Sequence, residues 1–145
     1  MNGMTRIVKT VSQLMCGLIF IYGLYIIIHG HLTPGGGFAG GAIIAGAFIL
    51  LILAYGSEMV NLKKEETQAS IIESIALTIF IILAFSGLFY GTCVFFNNFL
   101  PKGEIGKLLS AGIIPAYNIV VGMEVAAALL TIFIGLVIYK EEILS

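Results

Sequence analysis

From Val11 to Ile28 the chain runs eighteen residues without a charge. A helix of that length, at ~1.5 Å per residue, is long enough to cross most of the ~30 Å hydrocarbon core of a bilayer. Three more apolar segments follow. Hydrocarbon offers no water to satisfy backbone N–H and C=O groups, so a spanning segment bonds within itself as a helix or closes into a barrel. Runs this long are helical. The expected fold is all-α: a polytopic membrane protein with four transmembrane helices in a bundle. The spans are expected at residues 7–28, 34–56, 71–96 and 115–139, with residues 1–145 as a single membrane domain.

Composition excludes most other classes. Charged residues make up 10% of the chain and hydrophobic ones 59%, which leaves no sequence for a sizeable soluble domain. A net charge of −1 offers no electrostatic footprint for nucleic acid. Arg6 and Lys9 before an apolar run also describe a signal peptide, but the run is too long and no small-residue cleavage pattern follows it. The first helix is expected to be retained. Cys16 and Cys93 fall at different depths, so buried thiols are expected rather than a disulfide or a metal site.

The only glycine-dense run, His29-Gly30-His31-Leu32-Thr33-Pro34-Gly35-Gly36-Gly37-Phe38-Ala39-Gly40-Gly41, separates the first two spans. Thr33 reads as an N-cap and Pro34 as the first helical residue, where its missing N–H costs nothing. The glycines leave the first turn as bare backbone at the positive end of the helix dipole. Two uses are open. Gly37, Gly41 and Ala45, at four-residue spacing, form a face on which another helix can pack closely. Alternatively, the bare turn serves ion or proton passage.

The linker between the second and third spans, residues 58–69, holds Glu58, Lys63, Lys64, Glu65 and Glu66 and reads as a solvated loop. Ser70-Ile71-Ile72-Glu73 matches a capping box, which gives Glu73 a structural duty at the start of the third helix in preference to proton transfer. The second linker, residues 97–116, carries Pro101, Lys102, Glu104 and Lys107. Four spans put both termini on one side, with Arg6, Lys9, Lys63, Lys64 and Lys140. The other side has Lys102 and Lys107. The positive-inside rule therefore predicts cytoplasmic termini and a glycine turn outside, in a multi-pass protein of the cell membrane.

Glu124 is the one carboxylate that this division leaves clearly inside a span. An ionised carboxylate at such depth costs several kcal/mol unless paired, hydrated or protonated. It is either an ion-path or proton-relay group or a neutral, hydrogen-bonded partner of another subunit. His29 and His31 flank the mouth of the glycine turn. At i and i+2 they lack a third ligand, so no metal is expected; they are candidates for a pH response or for interfacial hydrogen bonds. There is no nucleotide-binding, nucleophile, haem or iron–sulfur pattern. No cofactor and no enzyme activity of the chain's own are expected.

Gly30-His31-Leu32-Thr33-Pro34-Gly35-Gly36-Gly37-Phe38 with Gly40-Gly41, and later Tyr117-Asn118-Ile119-Val120-Val121-Gly122, resemble the MnhB (MrpB) subunit family over nearly the whole chain. The resemblance implies a small, non-catalytic membrane subunit of a multi-subunit Na⁺/H⁺ antiporter complex. Its partners would be large antiporter-like subunits and small MrpC-like subunits, with Na⁺ and H⁺ as transported ions. Pro34, Gly35, Gly36, Gly37, Phe38, Gly40 and Gly41 are the family motif positions. Similar subunits in energy-converting hydrogenases and related respiratory complexes give a second reading, and a scaffold without an ion path gives a third.

Overall fold

The protein's structure, a computed structural model, describes residues 4–56, 62–90, 95–104, 106–108 and 110–144. These form four helices: α1 (Arg6–Ile28), α2 (Gly36–Tyr55), α3 (Leu62–Tyr90) and α4 (Ile114–Leu144). All four are long and apolar enough to cross a membrane. The described residues contain no strand.

The helices lie in a row rather than a ring. α2 packs between α1 and α4, and α3 lies on the far side of α4. α1 approaches α4 only slightly, and α3 makes no backbone contact with α1 or α2. Large apolar side chains consequently remain exposed along the outer face of α1, with Ile7 at 78%, Leu14 at 69%, Leu18 at 64% and Ile21 at 65%. A helix apolar on every face belongs against hydrocarbon or another subunit. Few large side chains are buried. The interior is made mainly of small residues, among them Ala45, Ala47, Ala54, Ala76 and Ala84, each no more than 1% exposed. Small residues let backbones approach where lipid supplies no hydrophobic drive.

The start of α1 and the ends of α2 and α4 lie at one end of the row. The Met4 amide donates to the Ala54 carbonyl (2.9 Å), and Lys9 Nζ stands 5.4 Å from the centre of the Tyr55 ring. The α1–α2 turn and the loop before α4 share the opposite end, where His31 Nε2 lies 3.5 Å from the Lys107 carbonyl oxygen.

Helix boundaries depart from the sequence expectation at several places. The expected N-cap Thr33 serves α1 instead, donating from its hydroxyl to the His29 carbonyl (3.1 Å). α2 starts at Gly36 behind Gly35, whose φ of 127° only glycine adopts without strain. α3 starts at Leu62, so most of the expected charged loop is helix and Ser70 and Glu73 lie within it. Ser70 is no cap: its carbonyl accepts the Ser74 hydroxyl (2.9 Å) one turn on. Lys, Glu, Gln and Ala are strong helix formers, so Lys64 to Ala69 extends α3 below its apolar part. The same holds for α4, which runs past Tyr139 to Leu144. At its other end α3 is described as far as Tyr90, and the expected last residue, Phe96, is not helical. Phe96, at φ 62°, donates from its amide to the Ala84 carbonyl (3.3 Å). Glu58 and Cys93 lie outside the described residues; Cys16 is a free, half-buried thiol in α1.

Candidate functional site

The glycine run builds α2 as a helix with two bare faces. On one side a methyl group added to Gly40 would stand 2.8 Å from the Gly23 carbonyl oxygen of α1. On the other, one added to Gly41 would stand 2.5 Å from the Gly122 carbonyl oxygen of α4, and one on Gly37 would collide with the Asn118 carbonyl. Backbone therefore meets backbone on both sides. Ala45 continues the second face and is 1% exposed. Of the partners on α1 and α4, Gly23 is readable in the sequence only as a lone glycine in an apolar run, and Gly122 only as the end of the Tyr117 to Gly122 stretch.

Asn118 closes the turn above this contact. Its side-chain oxygen accepts the Gly37 amide (3.4 Å), satisfying one of the donors that a helix start leaves free. Methyl groups on Gly30 or Gly36 would stand 3.0 Å from Asn118 Nδ2 and 3.3 Å from Asn118 Oδ1, so the amide lies in a cradle of glycines. The first turn of α2 is thus not open backbone. Pro34 precedes the helix in the turn, and Phe38 points outward at 67% exposure.

The two histidines diverge. His29 stacks on Tyr25 (centroids 4.1 Å apart) with Nδ1 3.0 Å from the Tyr25 carbonyl oxygen, finishing α1. His31 reaches Lys107 on the neighbouring loop. No group of three or more His, Cys or Glu suited to a metal occurs among the described residues.

Glu124 sits on α4 about 15 Å in from Ile114 at ~1.5 Å per residue, half-buried. It shares a stripe with Tyr117, seven residues before it, and Thr131, seven after. The matching stripe on α3 is Glu66, Glu73 and Phe80 at the same spacing. Two contacts set the pairing of these antiparallel helices. The Phe80 and Tyr117 rings meet edge-on at 5.5 Å, and Glu66 Oε1 lies 3.8 Å from where a methyl on Gly135 would stand. Interpolation between these contacts brings Glu73 and Glu124 to within about 3 Å of the same height along the seam. Glu73 lies ~13 Å inside the apolar Lys64–Phe89 span, again half-buried. Neither carboxylate has a hydrogen-bond or ion-pair partner among the described residues. Phe80 and Tyr117, packed with Phe96, cover one end of this seam.

The seam therefore holds two carboxylates at membrane depth rather than one. Sequence reasoning named Glu73 but assigned it to a cap. The usable signal was the seven-residue spacing of Glu66, Glu73 and Phe80, which presupposes a helix continuing through Ser70.

Residues 7–131 match the family described as a domain related to the MnhB subunit of Na⁺/H⁺ antiporters. An uncharacterised protein of Methanocaldococcus jannaschii is 36% identical over 132 residues, covering 88% of this chain and 50% of that protein. A putative antiporter subunit mnhB2 of Staphylococcus aureus is 43% identical over 54 residues, 37% of this chain and 38% of its own. Among solved structures, a chain of the membrane-bound sulfane sulfur reductase, an archaeal respiratory membrane complex, superposes with a TM-score of 0.73 at 31% identity. That match covers 91% of this chain and 57% of the other, so the chain spans about half the length of the longer relatives it matches. The glycine turn, the α2–α4 backbone contact and the α3–α4 carboxylate seam all fall inside the matched residues, and by that match the chain belongs to the MnhB-related family of membrane domains.

Proposed function

We propose that this chain is a non-catalytic membrane subunit of a multi-subunit cation/proton antiporter complex, and that its α3–α4 seam takes part in ion passage. The observation that carries the reading is the pairing of Glu73 with Glu124 at membrane depth, without internal partners. Carboxylates inside a span mark ion or proton pathways, and a proton or a cation is the cargo of an antiporter. The row of helices, open on both flanks, fits a subunit that completes its packing against larger neighbours. The partners are accordingly the other membrane subunits of the complex, with both termini on the cytoplasmic side. Pro34 and the glycines Gly35 to Gly37, Gly40 and Gly41 hold the turn and the helix contacts; Phe38 faces a neighbour. His29 and His31 take structural hydrogen bonds at the outer end.

The respiratory complex in which a similar chain occurs supports a second setting: the same subunit in a membrane arm driven by redox energy elsewhere. The seam would act alike in both. The test is ΔpH-driven Na⁺ flux in vesicles holding the assembled complex, with Glu124→Gln and Glu73→Gln compared with the unchanged chain. Loss of most of the flux at normal assembly supports a seam role. Near-normal flux in both variants leaves a scaffold.

A further inference from the structure

Because α3 makes no backbone contact with α1 or α2, a groove of about 770 Å³ remains between α1 and α3, floored by α2 and α4. Phe48, Ile72 and Met123 line its length. Its lining on α4 runs from Ile119 to Ile134, about 22 Å at ~1.5 Å per residue. Its apolar length suits acyl chains lying along the membrane normal.

The groove is apolar except at one end, where Tyr55, Glu65 and Gln68 line it. This end is the membrane surface, because α2 finishes at Tyr55. Glu65 has no ion-pair partner among the described residues. Lys9 lies at the same end, over the Tyr55 ring. A cation and a carboxylate at the mouth complement a headgroup carrying both a phosphate and an amine. A purely anionic headgroup would satisfy Lys9 but be repelled by Glu65.

We propose that the groove binds one phospholipid with an amine-bearing zwitterionic headgroup. The phosphate faces Lys9, the amine faces Glu65, and the acyl chains lie along Phe48, Ile72 and Met123. The lipid fills the gap between α1 and α3 and so helps to hold α3 in place. This site is separate from the carboxylate seam and does not depend on any transport role.

The test uses the purified complex in nanodiscs of phosphatidylethanolamine bearing a diazirine in one acyl chain, with cross-links mapped by mass spectrometry. Met123 and Ile72 should be labelled severalfold more in these discs than in phosphatidylglycerol discs with the same diazirine. Glu65→Gln should remove most of that preference and Lys9→Gln should lower labelling by both lipids severalfold, each leaving the complex assembled. Ile72→Trp should abolish labelling of Met123 by filling the groove. Labelling that ignores headgroup and both mouth variants overturns the proposal. So does a cross-link from p-benzoylphenylalanine at Met123 to another subunit, which would give the groove to a protein.

Discussion

The Gly37 amide donates to the side-chain oxygen of Asn118 (3.4 Å), joining residues eighty-one positions apart across the α2–α4 contact. This bond, with the carbonyl packing beneath it, fixes where the second span begins. It also explains why a helix start devoid of capping side chains is stable inside the bundle. Replacing Asn118 by Leu leaves the Gly37 N–H without its partner and puts a branched side chain into the glycine cradle. The expected cost is about 1–3 kcal/mol for the stranded group alone. Asn118→Leu should lower the melting temperature of the assembled complex and its yield; unchanged thermal stability would show that the bond is dispensable.

Glycine substitutions should sort by what lies opposite. Gly37→Leu and Gly41→Leu drive side chains into the backbone of α4, whereas Gly46 has open space around it. The first two should reduce assembled complex severalfold and Gly46→Leu should not. Equal yields of all three, measured by quantitative pull-down from membranes, would mean that α2 and α4 are not in backbone contact.

Glu73→Gln should lower ΔpH-driven Na⁺ flux as strongly as Glu124→Gln, roughly tenfold or more, and the double variant should be no worse than either. Groups that serve one ion path act as a unit, so their losses do not multiply. Glu124→Asp, with its carboxylate withdrawn by one methylene, should be intermediate. Multiplying losses, at equal assembly, would separate the two residues into independent roles.

A cysteine at Leu32, which is exposed in the α1–α2 turn, should react with a membrane-impermeant maleimide only from outside the cell. The expectation follows from five basic residues at the terminal end of the row against Lys102 and Lys107 at the other. Labelling only in inverted vesicles would reverse the orientation.

The four spans were legible because uncharged runs such as Val11–Ile28 have no other stable use. Boundaries were less so. Charge at Lys63 to Glu66 read as loop, yet these are helix-forming residues and α3 runs through them. Ser70 and Glu73 fit the capping pattern in spacing, but a pattern does not reveal whether the preceding residues are already helical. Thr33 offered one hydroxyl to two helices, and α1 took it. Gly37 and Gly41 showed their stripe in the sequence, whereas Gly40 facing Gly23 required knowing that α2 has neighbours on both sides. Asn118 stood out only as part of the Tyr117 to Gly122 stretch that carries the family resemblance, with nothing to tie it to the glycine turn.

The contrast between the two sides of α4 has a mechanical consequence. Toward α2 it meets bare peptide groups, which have no rotamers to exchange, so α1, α2 and α4 form a stiff plate. Toward α3 it meets side chains, chiefly rings at Phe80 and Tyr117, and among the described residues α3 has no backbone contact with a helix other than α4. Side chains can slide past one another as backbone ridges cannot, so the α3–α4 boundary is the chain's plane of shear. Glu73 and Glu124 lie on opposite banks of that plane. A displacement of a few ångströms along it would alter the gap between the two carboxylates without breaking the plate.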